Sequence, residues 1–153
     1  MAQFIGTSMP AGFAGQITRG FFDHTTEVIK NDGTTPVKAF GVPVKLNSTA
    51  DGVSACTATS DAVFGFAVRE YGQAVPDSEG GWIQAMDFVT VLKRGYMAVK
   101  LESGTAAKGG KVYLNATGGL TAEAGSSPSN TEIPNCFFMG PATSGLVEIA
   151  FNI

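Results

Sequence analysis

Apolar residues along this chain come in short runs or at every second position, never at the helical spacing of three to four over several turns. Residues 96–101 (YMAVKL) alternate Met97, Val99 and Leu101 with Tyr96, Ala98 and Lys100, the period of a half-buried strand. In residues 146–153 (LVEIAFNI), Val147, Ile149, Phe151 and Ile153 face one side and Glu148 and Asn152 the other, which predicts a paired strand running to the last residue. Further strands are predicted at 25–30 (TTEVIK), 42–46 (VPVKL), 62–68 (AVFGFAV), 88–92 (FVTVL), 111–114 (KVYL), 120–122 and 136–139 (CFFM). Pro43 marks an edge or a strand start, and Gly65 a bulge or a close backbone approach. Turn formers separate these runs: Asn31-Asp32-Gly33, Asp51-Gly52, Lys93-Arg94-Gly95 and residues 115–119 (NATGG). Residues 73–81 and 123–135 read as exposed loops. Short strands spaced by turns predict an all-β fold, a single β-barrel or a jelly-roll-like sandwich.

Residues 1–20 break this pattern. Gly6, Pro10, Gly12, Gly15 and Gly20 interrupt any regular element. Phe4, Ile5, Met9, Phe13 and Ile17 are apolar all the same, and Arg19 is the first charge, whereas a disordered tail is ordinarily polar and charged. The expectation is an extended N-terminal arm over residues 1–20, ordered by lying on an apolar surface, followed by a β-domain over residues 21–153. Phe21 and Phe22 are adjacent, so an extended backbone sends one to the core and one to a partner. Phe4, Ile5, Met9, Phe13, Ile17, Phe21 and Phe22 are therefore the candidate contact residues.

Composition narrows the partners. The chain has 153 residues, enough for one domain with a real core, and 20 of them are glycine. Charged residues are only 15%, which suits a surface covered by partners. The net charge is −3 and the basic residues are scattered, so neither nucleic acid nor an anionic membrane is the expected partner. Lys93-Arg94, the adjacent basic pair, reads as solvated surface. No run approaches the roughly 18–20 apolar residues that span a bilayer, and residues 1–20 lack the order of a secretory signal. Synthesis in the cytoplasm is expected, and with it two buried free thiols, Cys56 and Cys136.

Candidate chemistry is sparse. His24 is the lone histidine and follows Asp23, but a triad needs a third group, and neighbours on a strand point to opposite faces. One His and two distant Cys do not form a zinc site. Asp61, Asp77, Glu79, Asp87 and Glu102 fall at turns and strand ends, where carboxylates serve local hydrogen bonding. Residues 104–111 (GTAAKGGK) resemble a phosphate loop only superficially, because no hydroxyl follows the lysine and a strand comes next. No catalytic residue, metal or cofactor is expected.

Several strings carry a resemblance. Residues 13–32 (FAGQITRGFFDHTTEVIKND), 34–46 (TTPVKAFGVPVKL), 61–71 (DAVFGFAVREY) and 89–122 (VTVLKRGYMAVKLESGTAAKGGKVYLNATGGLTA) resemble the phage structural cement, or capsid decoration, proteins. That resemblance implies a virion protein on the outer surface of the capsid, where it bridges neighbouring major capsid protein subunits and stabilises the head. Its expected partners are the major capsid protein and itself, as a homodimer or homotrimer. The alternative is a tail- or head-associated carbohydrate- or receptor-binding β-module, which calls for a face of exposed aromatics; Trp82, Tyr71 and Tyr96 are few and scattered for that role.

Overall fold

The computed structural model describes residues 12–20, 22–69, 87–125 and 130–153. Within them lie nine strands and no helix: β1 (Thr25–Asn31), β2 (Pro43–Leu46), β3 (Gly52–Ala55), β4 (Gly65–Ala67), β5 (Phe88–Lys100), β6 (Lys111–Leu114), β7 (Leu120–Thr121), β8 (Thr131–Phe138) and β9 (Leu146–Phe151). The all-β expectation holds, and the architecture is a small barrel continued by a sheet.

The barrel has the order β1-β3-β2-β4-β5, and β1 pairs back with β5 to close the ring. Its closing seam is short: β1 meets β3, in parallel, only at Lys30↔Gly52 and Asn31↔Val53. Five strands leave a narrow lumen, and small residues fill it: Val37, Val44, Val53, Ala67, Val89 and Val91. Gly65 is a close approach, as expected; a Cβ there would meet the Leu92 carbonyl at 2.4 Å. Asn31 is fully buried and closes the lumen by acting as a strand partner, accepting the Val37 N–H at 2.8 Å and donating to the Val37 carbonyl at 3.0 Å.

The sheet has the order β5-β9-β8-β6-β7 and is antiparallel throughout. The larger core lies between it and the outside of the barrel, where Phe66 and Leu92 from barrel strands, and Val68 just past β4, meet Met97, Val99, Leu114, Ile133, Phe138, Ile149 and Phe151. Phe66 and Phe151 pack edge to face with centroids 5.1 Å apart. Both free thiols, Cys56 and Cys136, are buried there.

Four expectations are corrected. Lys93-Arg94-Gly95 is not a turn: β5 runs unbroken for 13 residues, with its first half in the barrel and its second in the sheet. The changeover falls at Gly95, whose φ of 140° and whose closeness to His24 (Cβ to Cβ would be 2.7 Å) leave no room for a side chain. Residues 131–135 are strand, not loop. Ile133, Cys136 and Phe138 face the core, but Asn135 takes a left-handed φ of 53° and shifts the alternation by one, hiding the period. Residues 52–55 (GVSA) form β3, which is too short and small to stand out beside its turn. The last strand stops at Phe151, because Asn152 turns left-handed at φ 54° and leaves Ile153 exposed.

Candidate interaction surface

The chain enters the domain along β5. On the edge of β5 opposite β9, Gly15 N–H donates to the Ala98 carbonyl (2.8 Å), Ala98 N–H to Gln16 (2.9 Å) and Thr18 N–H to Tyr96 (3.1 Å). Ile17 pairs with Met97 and packs, half-buried, on the larger core. This segment therefore covers what would be an open sheet edge. At the opposite margin, residues 102–103 cover β7, with Glu102 N–H donating to Leu120 and Ala122 N–H to Ser103. Both lateral edges of the sheet are thus taken by the chain itself.

A polar clip secures the entering segment. Glu148 on β9 accepts from Thr18 Oγ1 at 2.6 Å and, in a two-pronged pairing, from Arg19 Nε at 2.9 Å and Nη2 at 3.0 Å. The guanidinium also lies 4.0 Å over the Tyr96 ring. Partial burial pushes the Glu148 carboxyl upward, but the hydrogen bonds from Arg19 and Thr18 outweigh it and hold the group below the usual carboxylate range.

The candidate contact residues separate in the structure. Phe13 is 40% exposed with the Arg69 guanidinium over its ring at 4.5 Å, whereas Phe22 is 94% exposed just ahead of β1. Ile17 is turned inward. Phe4, Ile5, Met9 and Phe21 lie outside the described residues. Among the exposed apolar residues that were missed, the most open are Val28 on β1 (65% exposed) and Phe88 on β5 (67%). In the register Val28↔Thr90, Lys30↔Phe88 they are diagonal neighbours on the outer barrel wall. The signal was present in TTEVIK, where Val28 and Ile29 are adjacent and only one can face the lumen.

Of the carboxylates weighed for chemistry, Asp61 and Glu102 serve local structure, as Asp32 and Asp51 do in their turns. Asp61 pairs with Lys45 at 2.8 Å and accepts the N–H groups of Thr57 and Ala58. Asp32 accepts from Thr34 and Thr35, and Asp51 from Thr49 and Asn47. Glu102 accepts from Asn115. Asp77 and Glu79 lie outside the described residues, among which no three His, Cys, Asp or Glu side chains gather. Lys93 is not plain solvated surface: its amine donates to the Phe64 carbonyl at 2.8 Å and is half-buried.

Over residues 2–152 the sequence matches the family model of the structural cement protein (E217 gp24/Pam3 gp6). The chain belongs to that phage structural family. A chain of the solved capsid of Myoviridae Phage XM1 shares the fold with a TM-score of 0.69 at 13% identity, over 99% of the cement protein and 97% of that chain. No curated protein matches the sequence.

Proposed function

We propose that this cement protein binds the outer surface of the phage capsid and bridges neighbouring major capsid protein subunits, stabilising the head without chemistry of its own. Family membership over residues 2–152 carries this reading. The exposed aromatics at the chain's entry support it, since Phe22 at 94% exposure wastes its apolar surface unless something covers it. In this reading Phe4, Ile5, Met9, Phe13, Phe21 and Phe22 reach the coat, while Ile17 and the Glu148 clip anchor the arm to its own domain. A standard interface of about 1,600 Å² repeated over an icosahedral shell stiffens it even when each site is only modestly favourable. The protein acts as an oligomer, so that one unit spans more than one coat subunit.

The test is co-sedimentation of purified protein with heads that lack it. Saturable binding at a fixed ratio to coat subunits, with a higher melting temperature for the heads, is the expected result. Retention on host envelopes or glycans without binding to heads would replace this reading with a receptor-binding one.

A further inference from the structure

The entering segment is held to the domain at two points that differ in kind. Upstream, Gly15 is buried and bonded on both sides: its N–H donates to the Ala98 carbonyl at 2.8 Å, and its carbonyl accepts from Arg69 N–H at 2.9 Å. A Cβ at Gly15 would stand 2.7 Å from Phe40 Cβ and 3.0 Å from the Gly41 nitrogen, so the segment lies directly on its neighbours there. Ala98 N–H returns a bond to the Gln16 carbonyl at 2.9 Å. These bonds join backbone groups, which do not titrate. Downstream, Thr18 N–H reaches the Tyr96 carbonyl at 3.1 Å, and the rest of the hold is the side-chain clip of Thr18 Oγ1 and the Arg19 guanidinium on Glu148. The chain then passes Gly95, with Asp23 and His24 against it, before β1 begins at Thr25.

We propose that Glu148 is an acid-released latch: its protonation frees Thr18 and Arg19 from the sheet, while Gly15 and Gln16 stay bonded to β5 and the barrel and sheet stay folded. The inference concerns the isolated protein and holds whatever the protein binds. Few charges surround the carboxylate. Arg19 and Thr18 face it from the entering segment. On β5, Ala98 lies opposite Glu148, with Tyr96 and Lys100 two places to either side on the same face. Towards β8, the Glu148 carbonyl accepts from Met139 N–H, and neither Met139 nor Phe137 carries a charge. Asp23 acts on Arg19. Arg19 is thus the cation that acts on the carboxylate. Protonation removes that attraction and weakens every hydrogen bond the group accepts. The latched state keeps Glu148 charged, so the latch is complete above the ordinary carboxylate range and opens as the pH falls through the folded value. The Gly15 anchor has no such dependence, and the segment therefore opens from its downstream end. Phe22, 94% exposed, follows Arg19 by three residues, so the latch also sets where that ring projects.

The two anchors supply each other's control. Hydrogen exchange on the purified full chain follows the amides of Thr18, Gly15 and Ala98 by NMR, each corrected for its intrinsic pH dependence, while the carboxyl carbon of Glu148 reports its titration. Protection of Thr18 is expected to fall about fivefold as Glu148 takes up its proton. Protection of Gly15 and Ala98 should stay within about twofold of its neutral value over the same range. In Glu148→Gln, Thr18 should show the lower protection already at neutral pH, with no further change on acidification. Unchanged Thr18 protection through the Glu148 titration overturns the proposal, because the clip then adds nothing to the hold. Equal losses at Thr18, Gly15 and Ala98 overturn it too, because the segment then opens as one unit. A Thr18 amide that follows pH in Glu148→Gln as it does in the wild type places the switch on another group and overturns the assignment to Glu148. If Glu148→Gln fails to fold, the wild-type titration decides.

Discussion

At Glu148 a single carboxylate joins the entering segment to β9, two strands away, through Thr18 and Arg19. Its depressed pKa fixes the sign of its pH dependence. The folded state binds the proton less readily than the unfolded chain, so the contribution is complete above the ordinary carboxylate range and is lost as pH falls through the folded value. Glu148→Gln should lower the melting temperature at neutral pH by roughly 2–4 °C, the shift that about 1 kcal/mol produces in a chain of this size. The gap between variant and wild type should close as the pH is taken below the ordinary carboxylate range; a gap that stays constant would show that the charge is not what matters. The two thiols make a second residue-scale case. Burial, with Asp61 adding to it and Lys45 opposing, pushes Cys56 up to about 12, and burial pushes Cys136 up as well. Neither should react with a thiol reagent at pH about 8 until the protein is unfolded, when both should. Rapid modification of the native protein would contradict their place in the core.

At the scale of elements, β5 organises the molecule. It pairs with β1 and β4 in the barrel and with β9 in the sheet, and the entering segment completes its remaining edge. Gly95 marks the point where the strand passes from one to the other. Gly95→Ala should destabilise the fold by about 2 kcal/mol or more, because it forces a side chain into a left-handed φ and against His24 together. Chemical denaturation measures this directly, and an unchanged midpoint would mean that β5 can bend without the glycine. The sequence contained Gly95 but not its meaning. Lys-Arg-Gly reads locally as a turn, and only the pairing of both halves of β5 shows a continuous strand.

At the scale of the whole molecule, the arm and the domain have separable roles in the proposed function. Residues 15–18 are hydrogen-bonded to β5, so a truncation that spares them should spare the fold. Deleting residues 1–11 should leave the melting temperature within about 2 °C of the full chain and weaken head binding about tenfold. A truncated protein that binds as tightly as the full chain would remove the arm from the contact and leave the barrel wall to carry it.

The sequence alone determined the fold class, because period-two burial and turn chemistry are local properties. It also determined the strands at 25–30, 111–114 and 120–122, and the close approach at Gly65. The motifs that resemble cement proteins were legible for the same reason, being short strings with glycine at fixed offsets. What only the tertiary structure decided was how the strands are shared out between barrel and sheet, and which of them remain open. Glu148 lies about 130 residues from Thr18 and Arg19 in sequence, so no local pattern joins it to them. How far β1 is paired among the described residues depends on where β3 begins, opposite Lys30 rather than Thr26. Hydrophobic pattern sets which side of a strand is buried, but the register between distant strands sets which backbone groups are left for a partner.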